Sequence, residues 1–309
     1  MKIIANKIGI EVEDSGAARE GQGRSRPVVL LIMGLGMQLT AWPPALVQAL
    51  VDAGYRVVRF DNRDVGLSQR FDALGKPKIL WAGLRYRLGW RIAPPYRLHD
   101  MAWDALGVLD ALQIDKAHVV GASMGGMIAQ RLALLAPNRL TSLTSLMSSS
   151  GARGLPGPNA EVTRILISGP AGSSIEAAIE HFVRVFKAIG SPAYPMAEAD
   201  LRDLVGLATR RSLSPIGTFR QMVAIMADSS RADELAGVRV PTLVVHGKAD
   251  PLLPFACAED TARRIPGARL HSIDGMGHDL PPGVVERLVS LLLAHFAATM
   301  ANNLLKTAP

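Results

Sequence analysis

Between Val28 and Met33 the chain runs through six consecutive apolar residues and stops at Gly34. A strand with one wet face would alternate apolar and polar side chains. An unbroken run of this length therefore reads as a strand buried on both faces, as in a parallel sheet. Further strand signals follow at Tyr55 to Phe60, His118 to Val120, Leu140 to Met147, Thr242 to His246 and Arg269 to Ile273. Helical patterns separate them. Trp42-Pro43-Pro44 opens one that runs to Asp52 and closes at Gly54, with proline in the first turn and glycine past the end. Leu98 to Leu112 carries apolar residues at helical spacing (Met101, Ala105, Leu109, Leu112), with a cap near His99 or Asp100. Met124 to Leu135, Phe255 to Ile265 and Val284 to Met300 supply the rest. Strand–helix alternation of this kind implies the α/β class, a mainly parallel sheet with helices on both faces. At the front, Ile3 to Val12 alternates well enough for one antiparallel strand.

The pattern changes between Ser148 and about Val238. Helical periodicity dominates there (Ile175 to Ile189, Ala197 to Thr209, Ile216 to Met226), broken by Gly/Pro clusters at Gly151 to Pro158 and Ser191 to Pro195. This reads as an all-helical insertion. An insertion after the C-terminal end of a strand in a doubly wound sheet sits over the ligand crevice. The expected division is a core of residues 1–148 and 239–309 carrying a helical cap, or lid, of residues 149–238.

Composition narrows the class without naming a task. With 49% hydrophobic and 20% charged residues, the 309-residue chain is expected to fold around a sizeable core. Asp14 to Arg26 and the polar end after Met300 are the expected exceptions. The formal charge of +7 comes from arginines scattered along the chain. One concentration, Arg85, Arg87, Arg91 and Arg97, is interleaved with Trp81, Tyr86, Trp90 and Tyr96. Basic residues beside aromatics suit a nucleic acid or a membrane surface. A partly helical insert with solvated or carboxylate-paired arginines is the simpler expectation. The chain shows no nucleic-acid-binding motif. Cys257 is the single cysteine, so no intrachain disulfide or cysteine-based metal site is available. Met1 to Ile10 lacks the apolar run of a signal peptide, and Leu288 to Met300 is too short to span a bilayer. A cytoplasmic protein without stable membrane insertion is expected, with self-association left open.

The strongest chemical signal is Gly121-Ala122-Ser123-Met124-Gly125, which joins a short apolar strand to a helix. A serine on so sharp a turn needs small residues two positions before and two after it. The helix N-terminus behind it directs backbone N–H groups at developing negative charge. Ser123 is the expected nucleophile. It requires a base, and the base an orienting carboxylate. His246 and His271 fall within strands and His295 within the last helix, where packing is the better expectation. His278 stands in the flexible turn Gly275-Met276-Gly277-His278-Asp279, between the last strand and the last helix. Asp250 follows the strand ending at His246, just before Pro251, on the same rim of the sheet. It is preferred to Asp274, a turn residue. Acyl transfer also needs donors for an oxyanion. The backbone N–H of Met124 is one, and Leu35 in the turn Gly34-Leu35-Gly36 is the expected second. Gly34, Met37 and Met124 are expected to touch substrate. Cys257, in a helical neighbourhood with no base beside it, is read as a small buried residue.

With these motifs in order, the chain resembles the α/β-hydrolase superfamily from about Val28 to Met300, the helical insertion looking like its cap. Asp61-Asn62-Arg63-Asp64-Val65-Gly66-Leu67-Ser68 looks like that superfamily's structural D-x-R-G-x-G-x-S turn, and is read as an ion-pair turn, not a site. Within the superfamily the chain is most similar to the esterase branch that includes aclacinomycin methylesterases. One departure concerns the oxyanion turn. Many relatives carry His-Gly where this chain has Met33-Gly34. That leaves the backbone donor in place and leaves open what holds the turn from behind. The resemblance implies a serine hydrolase that cleaves carboxylic esters through an acyl-enzyme. It implies a small-molecule substrate and neither metal nor organic cofactor. The apolar helical faces of the insertion (Ile175, Ile179, Phe182, Phe186), facing Leu35, Met37 and Met124, add the expectation of an apolar wall that favours small to medium apolar acyl or alkyl groups. A carbon–carbon bond hydrolase, a cofactor-free perhydrolase and a non-catalytic ligand-binding protein stay open as alternatives.

Overall fold

The computed structural model describes residues 1–16 and 26–307, with side chains as far as Ala301. Most of the stretch for which disorder is expected, residues 17–25, lies outside the described residues. Asp14 itself ends a strand, where its carboxylate pairs with Arg56 at 2.6 Å. The strands are β1 (Lys2–Ala5), β2 (Ile8–Asp14), β3 (Val28–Ile32), β4 (Arg56–Phe60), β5 (Ala117–Ala122), β6 (Leu140–Leu146), β7 (Thr242–Gly247) and β8 (Arg269–Ile273). They form one eight-stranded sheet in the order β1-β2-β4-β3-β5-β6-β7-β8. β3 to β8 run parallel, and β1 and β2 add an antiparallel edge.

The helices of the core are α1 (Pro44–Asp52), α2 (Ile79–Arg87), α3 (Leu98–Ala111) and α4 (Met124–Leu135). Five more fall between β6 and β7: α5 (Ala160–Ser168), α6 (Ile175–Ile189), α7 (Glu198–Arg211), α8 (Pro215–Met226) and α9 (Arg231–Glu234). Then come α10 (Ala256–Arg264) and α11 (Pro282–Thr307).

The unbroken apolar run is buried on both faces, as expected. Val28, Leu30 and Ile32 face the cluster that holds the apolar sides of α3 and α4. Val29, Leu31 and Met33 face the opposite cluster, with α1 and α11. Each such side chain contributes about 1.5–3 kcal/mol by leaving water. Register then brings the strand ends to one level: Ile32 lies beside Gly121, Ala122 beside Leu146, and Gly247 beside Ile273. The loops that follow β3, β5, β7 and β8 therefore open on a single rim.

Three expectations need correction. Ile3 to Val12 is a hairpin, not one strand. Asn6 and Lys7 both have positive φ (47° and 66°) and make the two-residue turn, for which Asn is the one sequence cue. The helix from Leu98 is closed by Asp100 from inside its first turn, where its carboxylate accepts the Arg97 N–H at 2.7 Å. The last helix begins two residues earlier than expected and runs seven further, through the polar end to Thr307. Over Pro282–Ala301 it is long and apolar enough to cross a membrane by length and composition. Its Val284, Val285, Leu288, Leu292 and Phe296 are instead buried against the sheet and α1.

Beneath the rim lies a buried polar turn. Asp61 accepts the Leu39 N–H (2.7 Å) and the Leu67 N–H (2.9 Å) and pairs with Arg211 of α7 (2.8 Å). Arg63 forks onto Asp104 of α3 at 2.6 and 2.7 Å. Asp64 receives the guanidinium of Arg220 of α8 at 2.8 and 2.7 Å, and both side chains are fully buried. Asp64→Asn leaves that guanidinium with only the exposed Asp72, 3.2 Å away, as counter-charge, while keeping a residue that tolerates the positive φ of 69°. Urea unfolding should show a loss of about 3–5 kcal/mol.

Candidate active site

Ser123 sits between β5 and α4 with φ 55° and ψ −121°, a conformation that side chains other than glycine rarely adopt. The glycines around it are steric requirements. A Cβ at Gly121 would lie 2.1 Å from the Gly125 carbonyl oxygen, and one at Gly125 would lie 2.0 Å from that of Ile32. The strained backbone is held on both sides: the Ser123 N–H donates to Leu146 O at 2.9 Å, and the Ser148 hydroxyl donates to Ser123 O at 2.7 Å. The serine itself is half-buried, so its hydroxyl stays reachable.

The structure brings Ser123, His278 and Asp250 into one chain of contacts. His278 Nε2 is 3.0 Å from Ser123 Oγ, and His278 Nδ1 is 2.6 Å from Asp250 Oδ2. The other carboxylate oxygen of Asp250 accepts the N–H groups of Leu252 and Leu253 at 2.9 and 2.8 Å. Burial would raise this carboxyl. The neighbouring His278, with hydrogen bonds from His246 and His278, overrides it and holds Asp250 well below the usual carboxylate range. Asp274 is exposed and pairs with Lys248 at 2.8 Å. His271 is exposed on the edge strand. His295 is buried and pushed down to about 4, first by burial. Cys257 is buried and its thiol pushed up to about 11.

At the turn after β3, Gly34 approaches the serine so closely that a Cβ there would lie 3.1 Å from Ser123 Cβ. Asn62 takes the place behind this turn, its Nδ2 donating to Met33 O at 2.9 Å. The Gly36 N–H donates to Gln221 Oε1 of α8 at 2.9 Å, and Gln221 Nε2 donates to Arg63 O at 2.8 Å. The Leu35 N–H has no acceptor among the described residues. Met37 is half-buried. The Met124 side chain does not have the placement expected of a substrate contact. It is fully buried in the core cluster because the helix turns it beneath the sheet's rim.

A family model described as the alpha/beta hydrolase fold matches residues 27–171. Rhodomycin D methylesterase DauP of Streptomyces sp. (strain C5) is 33% identical over 87% of this chain and 91% of its own length. The chain belongs to the α/β-hydrolase family. Rhodomycin D methylesterase DnrP of Streptomyces peucetius is similar at 32%, with the same coverage. Among solved structures, a meta-cleavage product hydrolase from Pseudomonas fluorescens IP01 shares the fold. Its TM-score is 0.69 at 21% identity, over 96% of this chain and 97% of that one.

Two features of this hydrolase's site had no clear signal in its sequence. The first is Gln221, a buried amide 98 residues beyond the serine, which ties the turn carrying Leu35 to the helices above it. No motif marks a glutamine in a helical stretch. The second is the pinning of the histidine loop: His278 N–H donates to Ile189 O of α6 at 2.7 Å, and Gly277 N–H donates to the Ser191 hydroxyl at 2.9 Å. Ser191 in turn donates to Asp279, whose carboxyl is raised to about 6, above all by burial.

Gln221→Leu keeps the size of the side chain but removes both hydrogen bonds. Loss of a direct oxyanion donor costs about 10²–10³ in kcat. Loosening the segment that carries one should cost roughly tenfold in kcat with KM little changed, measured on a soluble ester. For Asp279, a carboxyl raised from 3.8 to about 6 binds more protons folded than unfolded between those values. Its contribution to stability is therefore greatest below the lower value and is lost as pH rises through the upper one. Asp279→Asn should flatten the fall in stability between those pH values, as read from melting curves taken across the range.

Proposed function

We propose that this chain is a serine esterase in which Ser123 attacks the ester carbonyl, His278 is the base and Asp250 orients it. The observation that supports this best is the continuous contact from Ser123 Oγ through both ring nitrogens of His278 to Asp250. Asp250 fixes the tautomer by accepting the Nδ1 proton, which leaves Nε2 free to take the serine proton as the new C–O bond forms. The negative charge that develops on the carbonyl oxygen is met by the N–H groups of Leu35 and Met124. His278 then gives its proton to the departing alkoxide. Water, activated by the same imidazole, splits the acyl-enzyme and restores Ser123. The methylesterase names carried by the two Streptomyces relatives agree with carboxylic ester hydrolysis.

The five helices between β6 and β7 are the cap of this reading, within residues 149–238 and seated over the rim. The apolar wall first expected from Ile175, Ile179, Phe182 and Phe186 needs revision. Ile179 packs inside the cap with Val183, Leu201 and Val205, and Ile175 is exposed. The wall of the acyl site rests on Leu35 and Met37, both half-buried beside the serine turn. Among the described residues His278 is the only side chain hydrogen-bonded to the Ser123 hydroxyl. A site of this kind selects small to medium apolar groups broadly, because each methylene is worth at most about 1–3 kcal/mol of discrimination.

Turnover efficiency on acetate, butyrate, hexanoate and decanoate esters, with Ser123→Ala as control, tests both parts. The wild type should peak at an intermediate chain length. The alanine variant should fold normally and lose about 10⁴- to 10⁶-fold in turnover. A tenth of the activity surviving in Ser123→Ala would remove the nucleophile. A monotonic fall from acetate, or preference for an anionic ester, would remove the apolar acyl site.

A further inference from the structure

One segment joins the core only at its end, through Tyr96 and Leu98, and does not reach the rim that carries Ser123. From Ala73 to His99 the chain carries Lys76, Lys78, Arg85, Arg87, Arg91 and Arg97, and no Asp or Glu. α2 lies in its middle and rests on α8. Its inner side is Ala82, buried, with Ile79 and Tyr86 half-buried.

The other side of α2 faces solvent and is apolar. With 3.6 residues per turn, Leu80, Leu84, Leu88 and Trp81 fall within an arc of about 100°. Arg85 borders one edge of that arc and Arg87 the other. All four apolar residues are exposed, Leu80 at 91% and Leu88 at 50%. Trp90, 51% exposed, extends the face by packing edge-on against Trp81 at 6.4 Å. The extension is held by Trp90 N–H donating to Arg85 O (2.8 Å) and the Arg85 guanidinium donating to Arg91 O (2.9 Å). A contiguous exposed face of large apolar side chains marks an interaction surface.

We propose that α2 and Trp90 form a docking face for an anionic lipid surface, on which the folded hydrolase adsorbs without a spanning helix. Charge selects this occupant. Arginines along both edges of the arc place cations at the level of lipid headgroups while leucine and tryptophan side chains reach the acyl boundary. A second copy of the chain on this face would set two cationic helices against each other. A nucleic acid could stack on Trp81 and Trp90, but Leu80, Leu84 and Leu88 run along the same face and offer its bases and phosphates no hydrogen bond.

Co-sedimentation of the full-length protein with vesicles tests the proposal. The vesicles are phosphatidylcholine alone, or phosphatidylcholine with roughly one third phosphatidylglycerol. The protein should partition to the anionic vesicles, release as salt is raised and shift its tryptophan emission to the blue. Leu84→Glu places a carboxylate in the centre of the face and should abolish binding. Arg85→Gln with Arg87→Gln should weaken it about 30-fold. Both variants should keep the wild-type melting temperature and turnover on a soluble ester, which shows that the fold is intact. Absence of binding, equal binding to neutral vesicles, or undiminished binding by Leu84→Glu would overturn the proposal. So would self-association, or capture of an acidic polymer in preference to vesicles, that Leu84→Glu removes.

Discussion

Asp61, Asn62, Arg63 and Asp64 are consecutive, buried and charged or polar, and each reaches a different part of the molecule. Asp61 and Asp64 bind arginines of α7 and α8, Asn62 holds the carbonyl of Met33, and Arg63 grips α3. Left unpaired, any of these charges would carry a heavy desolvation penalty. Their partners therefore have to come together for the fold to close. This requirement fixes where the helices inserted after β6 rest on the sheet. It also fixes the turn after β3, because Asn62 supports it from one side and Gln221, itself bonded to the carbonyl of Arg63, from the other.

The proposed catalytic apparatus is assembled on that frame from loops far apart in sequence. The parallel sheet contributes position: strand ends in register deliver Gly34, Ser123, Asp250 and His278 to one rim. The elbow contributes reach, by holding the serine in a backbone conformation that only close-set glycines permit. The neighbouring His278 and the hydrogen bonds from His246 and His278 contribute charge state, keeping Asp250 ionised against the opposing effect of burial. Removing any one of these leaves the residues in place but without the alignment that proton transfer needs.

Legibility in the sequence followed the range of the interaction that decides each feature. The buried run at Val28 to Met33, the glycines around Ser123 and the loop positions of Asp250 and His278 are local signals, and they pointed to the parallel fold and to three residues that meet in space. The Asn6-Lys7 turn carried only a faint local cue and was read through as strand. Gln221 was invisible because its role comes from a partner 185 residues away. The burial of Met124, expected at the substrate, was not legible because the sequence shows a residue next to Ser123 and not which way the helix turns its side chain. The fate of Ile179 was likewise decided by α7, which no pattern within α6 reveals.

The hydrogen bonds from the His278 N–H to Ile189 and from the Gly36 N–H to Gln221 join the inserted helices to both loops of the candidate site. On the proposed mechanism, a cap that swung away as a rigid body would carry off the supports of the base and of the oxyanion turn together. The open form would thus be a poor catalyst by construction.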